Sequence, residues 1–395
     1  MKIPLNRSET TTADEAAVLT SLRSGHQHGD GPFTKSCEKW FEENLGCARA
    51  LLTNSGTDAL EMAMLLAGIE PGDEVIMPSF TFVSTANAVA LRGATPVFVD
   101  IRRDTLNIDE DLIESAITSK TKAIVPVHYA GIGCAMDRIN AIAAKHNLQV
   151  IEDAAHASVA NYGGKPLGSL GRMAAFSFHQ TKNLSCGEGG ALIVNDPGLI
   201  ERAEILREKG TNRKAFARGE VDKYTWIDIG SSYLIPDFVS ALLSSKLHRS
   251  RAITAARLRI FDRYNASLER FAYKGLLQLP HVPLDCQGNA HIFYMILPSP
   301  DIRDALQKAL ARDRIQASSH YIPLHSAPGA AGRTRVSGRM VVTDRVADTI
   351  LRLPVYESLS FAEQSFVIEK VEAFFDGLTQ SRMVSNRERE LEMMP

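Results

Sequence analysis

The sequence lacks most of the features that are typical of secreted, membrane-spanning or nucleic-acid-binding proteins. Its five cysteines are scattered over 395 residues, and no two form the CxxC pair that would indicate a zinc site or a disulfide framework. No apolar run approaches the roughly 20 residues that a membrane-spanning helix needs, and the first 15 residues contain no apolar signal region. The formal net charge of -2 argues against a nucleic-acid-binding surface. We therefore expect a cytoplasmic protein with reduced thiols, no metal site, and no membrane or nucleic-acid partner.

Apolar strands alternate with helical patterns in the first 155 residues. Helices are predicted at 57–67, 82–93 and near 109–117 and 136–146. Strands are predicted at 94–101, 123–129 and 149–155, and segment 71–79 is predicted as a turn followed by a short buried strand. Continuous apolar strands separated by helices predict an α/β fold with a mostly parallel, doubly wound sheet.

The pattern changes after Asp153, where two strands (173–179 and 189–196) have only a short connection and a long helical stretch follows residue 236. The residues after this helical stretch are predicted to form a smaller α/β unit. We predict a large domain over 1–245, a small C-terminal domain over 246–378 and a flexible tail over 379–395.

Three polar features lie where predicted strands end, which is where open parallel sheets bind ligands. TNSGTDAL opens a helix with a Ser-Gly-Thr turn, suited to a phosphate or to a plain N-cap. Asp153 closes an apolar strand and is either a helix cap or ion-pair partner, or a carboxylate that keeps a pyridine nitrogen protonated. Lys182, in FSFHQTKNLSCGEGG, is either a surface residue or a desolvated amine suited to a Schiff base.

Each feature is ordinary by itself, but their order along the chain matches one cofactor. A phosphate turn, an aromatic residue, an aspartate, a serine and a lysine are what pyridoxal phosphate (PLP) needs. The phosphate requires donors, the ring a stacking face, the ring nitrogen an acidic partner and the aldehyde an amine.

From about residue 3 to residue 376 the sequence resembles the DegT/DnrJ family of sugar aminotransferases, which are PLP enzymes of fold type I. The motifs that carry the resemblance occur in family order: TNSGTDAL, PSFTFVSTANAV, VFVDI, VPVHYAG, IEDAAHA, FSFHQTKNLSCGEGGA and HYIPLH. Within the family, MPSFTFVSTANA, EKGTNR and VDKYTWIDIGSSYL are similar to the dTDP-4-amino-4,6-dideoxygalactose transaminases, which aminate dTDP-4-keto-6-deoxyglucose with glutamate.

The resemblance implies a role for each candidate residue. Lys182 would form the Schiff base and move the proton, and Asp153 would pair with the pyridine nitrogen. The other residues implied to contact the cofactor are Phe82, stacked on the ring; Gly56, Thr57 and Ser177, at the phosphate; and His156, near the phenolic oxygen. Ser232 stands where many members have an asparagine that reaches the phosphate in the neighbouring subunit.

The segment 208–226 is rich in Lys and Arg, and it is either a solvated loop or a loop that offers Lys209, Arg213 or Lys223 to a nucleotide diphosphate. The resemblance implies that His320, Tyr321 and His325 line the sugar pocket. The partners would be L-glutamate, a nucleotide sugar and a second copy of the chain that shares the active sites, with pyridoxamine phosphate (PMP) as the alternate cofactor form.

Other functions stay open at this stage. The same fold could aminate C3 of a dTDP-3-keto-6-deoxyhexose, which only product analysis would separate. A PLP-dependent sugar dehydratase is disfavoured because relatives of that type have histidine in place of Lys182. A nucleotide-sugar oxidoreductase would be expected to have a GxGxxG motif near its first strand, which this chain lacks. A non-catalytic binding protein would be expected to have lost some of the chemical groups of the cofactor site.

Overall fold

The computed structural model describes the backbone of residues 2–392 and the side chains of residues 2–379. Most of the predicted tail over 379–395 therefore lies outside the described side chains. The helices are α1 Thr12–Arg23, α2 Pro32–Leu45, α3 Gly56–Leu66, α4 Val83–Ala90, α5 Glu110–Ala116, α6 Met136–His146, α7 Ile200–Arg207, α8 Arg213–Ala217, α9 Asp237–His248, α10 Ser250–Tyr273, α11 Pro300–Arg312, α12 Val341–Thr349 and α13 Phe361–Glu392. The strands are β1 Arg49–Thr53, β2 Glu74–Pro78, β3 Thr95–Val99, β4 Thr121–Ile124, β5 Gln149–Asp153, β6 Asn161–Tyr162, β7 Lys165–Pro166, β8 Met173–Ser177, β9 Gly190–Val194, β10 Cys286–Gln287, β11 Phe293–Ile296, β12 Arg335–Val336 and β13 Ile350–Leu353.

An eight-stranded sheet forms the centre of the molecule, in the order β1-β9-β8-β5-β4-β2-β3-β12. Every neighbouring pair is parallel except the two that involve β9, which runs antiparallel to β1 and β8. Helices cover both faces, and each face has its own apolar core. The predicted α/β class with a mostly parallel sheet is confirmed.

A polar side chain that follows β1 marks where helix α3 begins. Ser55 is the N-cap of α3, and its hydroxyl accepts a hydrogen bond from the backbone N–H of Asp58 at 3.1 Å. This satisfies one of the N–H groups that the first helical turn leaves unpaired. The tight turn also depends on Gly190 of β9, where an added Cβ would lie 2.2 Å from the carbonyl oxygen of Ser55.

The C-terminal unit has a third apolar core, in which α10, α11 and α13 surround the antiparallel pair β11–β13. Two segments cross between the units. Ile3 pairs with Ile315 and is buried in this third core, whereas β12 joins the edge of the central sheet beside β3. The domain limits near residue 245 remain a prediction, and these crossings tie the two units together.

In the part of the chain that the structure describes, no helix combines the length and the apolar character that crossing a membrane would require.

Candidate active site

A cavity of about 640 Å³ lies at the carboxyl ends of the central strands, where the sheet meets the C-terminal unit. It brings together most of the residues singled out from the sequence: Gly56, Thr57, Phe82, Asp153, His156, Ser177, Lys182, His320 and Tyr321. Its volume falls in the range of small-molecule and cofactor pockets.

One end of the cavity is suited to an anion. Helix α3 begins there at Gly56, and the hydroxyl of Thr57 is 2.7 Å from that of Ser84. Ser177, at the end of β8, faces the same turn, and a Cβ added to Gly56 would lie 2.8 Å from the Ser177 Cβ. The glycine therefore allows the helix N-terminus and the serine to approach one another, and the N–H groups and hydroxyls together form a phosphate-binding arrangement.

Asp153 is buried at the end of β5 and is held by hydroxyl and amide donors. Its Oδ2 accepts a hydrogen bond from the Thr85 hydroxyl at 2.7 Å, and its Oδ1 accepts one from the backbone N–H of Ala155 at 3.1 Å. The Thr85 oxygen lies 2.9 Å from the Thr81 hydroxyl, which completes a short chain of donors. A carboxylate held in this way is suited to pair with the protonated nitrogen of a pyridine ring.

Lys182 extends its amine into the cavity from the turn after β8. Among the described residues its Nζ has no hydrogen-bond or ion-pair partner. Burial lowers the pKa of Lys182 to about 8, although the negative charge of Asp153 opposes the shift and the positive charge of Arg352 adds to it. The neutral, nucleophilic form of the amine is therefore accessible near pH 8.

Histidine and tyrosine side chains form the opposite wall. Nδ1 of His156 accepts the backbone N–H of Ala130 at 3.3 Å, and its Nε2 lies 3.2 Å from the Tyr321 hydroxyl. Nδ1 of His320 lies 2.6 Å from the Tyr129 hydroxyl. Burial, reinforced by nearby positive charge, lowers the pKa of His156 and of His320 well below the usual histidine value. Both imidazoles are thus neutral hydrogen-bonding groups.

Three predicted residues lie away from the cavity within the described chain. His325 contacts the Ser79 hydroxyl at 2.8 Å and an Asp344 carboxylate oxygen at 3.2 Å, so its imidazole is engaged in tying the C-terminal unit to β2. Arg213 is exposed and pairs with Glu208 at 3.3 Å. Ser232 is also exposed. A contact of Ser232 with the cofactor phosphate of a second subunit remains a prediction, and so does a contact of Arg213 with a nucleotide diphosphate.

The cavity also contains residues that the sequence analysis did not single out: Thr81, Ser84, Thr85, Arg257, His291 and Arg352. The three hydroxyl residues follow β2 directly and begin α4, so their position after an apolar strand was a usable signal. Nothing in the local sequence marks Arg352 or His291, because the folding of the C-terminal unit brings them to the cavity.

The residues present fit PLP. The α3 turn offers donors for its phosphate, Phe82 offers an exposed ring within the cavity, Asp153 offers a carboxylate for its ring nitrogen and Lys182 offers an amine. With the mostly parallel sheet and the smaller C-terminal unit, these groups define a PLP-dependent enzyme of fold type I.

The chain belongs to the DegT/DnrJ/EryC1/StrS aminotransferase family, whose model matches residues 9–372. A pleiotropic regulatory protein of Geobacillus stearothermophilus is 36% identical over 336 residues, which is 85% of either chain. The aminotransferase TlmJ from Streptoalloteichus hindustanus superimposes with a TM-score of 0.87 at 30% identity, over 95% of this chain and 100% of TlmJ. Spr1654 from Streptococcus pneumoniae, assigned as a sugar aminotransferase and solved in its PMP form, gives 0.88 at 27% identity over 97% and 100%.

Proposed function

We propose that this aminotransferase moves the amino group of L-glutamate to C4 of a nucleotide-activated keto sugar, dTDP-4-keto-6-deoxyglucose, and forms a dTDP-4-amino-4,6-dideoxyhexose. The single observation that carries the reaction type is the amine of Lys182, which has no partner among the described residues and lies in the same cavity as the buried carboxylate of Asp153. The sugar substrate is supported by the motifs that resemble the C4 transaminases and by the assignment of Spr1654 as a sugar aminotransferase.

When bound, PLP supplies an electron-accepting pyridinium ring and an aldehyde that exchanges for an amine. Lys182 would hold the cofactor through its Nζ, then take a proton from the donor's α-carbon and return one to the acceptor carbon. A pKa of about 8 leaves a substantial fraction of this amine neutral at mildly alkaline pH, which a proton acceptor requires. Asp153, fixed by Thr85, would keep a proton on the ring nitrogen.

A homodimer with shared active sites completes the proposal. The segment 211–232 exposes several apolar side chains that a single chain leaves uncovered: Phe216, Tyr224, Trp226, Ile227 and Ile229. An apolar surface of this kind favours a protein partner. A second copy that covers this surface would bring Ser232 to the neighbouring cavity, as the family resemblance implies, and would bring Arg213 with it because both residues belong to the segment. The cytoplasmic location likewise remains a prediction.

The first experiment follows the visible absorbance of the purified protein with PLP. L-Glutamate should remove the yellow band and produce the PMP band, and dTDP-4-keto-6-deoxyglucose should restore the yellow. Magnetic resonance of the product should then place the amine at C4, whereas an amine at C3 would favour the 3-keto alternative.

Lys182→Ala should abolish turnover, and sustained turnover by this variant would contradict the assignment. Unchanged Michaelis constants for the nucleotide sugar in Arg213 and His320 variants would remove both residues from the site.

A further inference from the structure

We propose that Nε2 of His291 accepts a hydrogen bond from the hydroxyl group next to the reacting carbonyl of the acceptor sugar, so that His291 determines specificity for a hydroxylated acceptor. This inference rests on the proposed function, in which the acceptor is a nucleotide-activated 4-keto sugar.

The backbone of His291 is held from both sides by side chains of the C-terminal unit. Its N–H donates to Oδ1 of Asn289 at 3.0 Å, and its carbonyl accepts a hydrogen bond from Nη2 of Arg257 at 2.7 Å. Asn289 is fully buried, and its Nδ2 donates to the carbonyls of His156 and Ser158 at 2.7 and 2.8 Å. The imidazole therefore has a defined position relative to the loop that follows β5.

The hydrogen bonds of Asn183 fix which nitrogen of the His291 ring carries the hydrogen. Nδ2 of Asn183 donates to the carbonyl oxygen of Asn289 at 3.0 Å, and because a carbonyl cannot donate, the atom that faces it is the amide nitrogen. Oδ1 of Asn183 then lies 2.9 Å from Nδ1 of His291 and accepts its hydrogen. Burial lowers the pKa of His291 well below the usual histidine value, and the positive charges of Lys182 and Arg257 add to this shift. The ring is therefore neutral, and Nε2 keeps a lone pair.

The lone pair of Nε2 is not used within the described chain. Among the described residues Nε2 of His291 has no hydrogen-bond or ion-pair partner, although only 6% of the residue is exposed. The atom remains accessible, and because the residue lines the cavity, Nε2 opens on the ligand-binding space. An acceptor in this position calls for a donor on the ligand, because a polar atom that is desolvated without a partner costs free energy.

Two other histidines of the cavity differ from His291 in this respect. Both ring nitrogens of His156 are engaged by protein groups. His320 contacts the Tyr129 hydroxyl, and a hydroxyl can either donate or accept, so this contact does not fix the tautomer. His291 thus presents an acceptor that the protein itself has oriented and fixed in one tautomer.

The chemistry of the possible ligands selects the sugar. The carboxylates of the donor and the ionised oxygens of the cofactor have no hydrogen to donate, and the amine of the donor is the group that reacts. In a 4-keto-6-deoxy sugar, C3 lies next to the carbonyl carbon and carries a hydroxyl. His291 lies near the reacting end, because its ring centroid is 4.1 Å from that of His156 and its partner Asn183 follows Lys182 directly. Nε2 of His291 therefore suits the C3 hydroxyl.

Two substitutions separate a contact with the sugar from a merely structural role. The polar group of asparagine lies about as far from the backbone as Nδ1 of histidine, and that of glutamine about as far as Nε2. His291→Asn therefore keeps a donor for Asn183 and removes the acceptor from the cavity, whereas His291→Gln keeps the acceptor and removes the donor. A sugar contact makes His291→Asn the more harmful change, and a structural role makes His291→Gln the more harmful one.

The test follows the acceptor half-reaction. The PMP form of each protein is mixed with dTDP-4-keto-6-deoxyglucose or with its 3-deoxy analogue, and the return of the yellow band is recorded. In the wild type the analogue should react about tenfold less efficiently, because Nε2 is left without a donor. His291→Asn should lose about tenfold with the hydroxylated sugar and show no further loss with the analogue, since both changes remove the same contact. His291→Gln should retain most of the preference for the hydroxylated sugar.

A matched control and a binding measurement accompany this test. The donor half-reaction, in which L-glutamate is added to the PLP form, should stay within about two-fold of the wild type in both variants. His281→Asn, at an exposed histidine of the same unit, should leave both half-reactions as in the wild type. Calorimetry of dTDP-4-keto-6-deoxyglucose with the PLP form, in which no amine is transferred, should show weaker binding in His291→Asn than in His291→Gln.

The outcomes are distinct. A wild type that uses the two sugars equally well, or a His291→Asn variant that keeps the preference of the wild type, would overturn the inference. Loss of both half-reactions in both His291 variants would overturn it in favour of a structural role. A wild type whose PMP form responds to neither sugar would show that the proposed function fails at its acceptor, and the inference would fail with it.

Discussion

The strongest physical consequence of the site is that Lys182 destabilises the cofactor-free protein in a pH-dependent way. Burial brings its pKa from 10.5 to about 8. The folded state thus binds fewer protons than the unfolded state between about pH 8 and 10.5, and the free energy of unfolding contributed by this residue rises with pH across that window. Below pH 8 the full penalty applies.

The magnitude follows from the size of the shift. A difference of about 2.5 pKa units corresponds to roughly 3 kcal/mol at pH 7, about 2 kcal/mol at pH 9 and less than about 1 kcal/mol at pH 10. Methionine has a similar length and no charge, so Lys182→Met should stabilise the apoenzyme by these amounts. The difference in unfolding free energy between the wild type and Lys182→Met should decrease as the pH rises.

The assay is urea unfolding of both apoenzymes at several pH values and at one protein concentration, because dimer dissociation would otherwise enter the measured stability. Lys308→Met, at an exposed lysine on α11, serves as the control, and its unfolding free energy should differ from that of the wild type by close to zero at every pH. A Lys182→Met gap that is independent of pH, or that widens with pH, would refute the argument that the buried amine is the source of the instability.

Three further changes test the rest of the site. Asp153→Asn preserves the shape but removes the charge next to the ring nitrogen, and should slow the donor half-reaction by about 100-fold or more, as measured by loss of the yellow band. Gly56→Ala places a Cβ 2.8 Å from the Ser177 Cβ and should weaken PLP binding about tenfold in an absorbance titration. Trp226→Lys charges a side chain that is 76% exposed in the single chain and should shift the sedimentation of the proposed dimer towards the monomer.

Each change has its own control. Asp301→Asn alters an exposed carboxylate at the start of α11, and a half-reaction slowed equally there would discount the Asp153 result. Gly329→Ala adds a methyl group where nothing lies within 4 Å, so it should leave PLP affinity unchanged. Tyr273→Lys charges a side chain that is 83% exposed on α10; if it dissociates the protein as Trp226→Lys does, segment 211–232 is not the interface.

The fold was largely predictable because its signals are local. The predicted helix over 136–146 appears as α6 Met136–His146, and the predicted strands over 149–155 and 173–179 appear as β5 and β8. The short elements of the C-terminal unit were harder. Strand β12 has two residues and joins the sheet only because the chain returns to its edge, which no periodicity in so short a segment could indicate.

The residues of the cavity were likewise predictable from the sequence only in part. The chemical type of Asp153, Lys182 and the α3 turn could be interpreted from the sequence because each follows a strand of the parallel sheet, and the carboxyl ends of such strands converge. His325 was predicted to line the pocket by resemblance, yet its imidazole lies between Ser79 and Asp344. The orientation of a side chain in an irregular loop depends on partners that are distant in the chain.

The sequence by itself thus determined the class of fold, the cofactor chemistry and the order of the groups that serve it, because hydrophobic periodicity and the residues at strand ends act over a few neighbours. Only the tertiary structure decided the electrostatics. The pKa of Lys182 depends on its burial and on charges contributed by Asp153 and Arg352, which are 29 and 170 positions away along the chain. Arg352 likewise reaches the cavity only because of where the folded chain places strand β13.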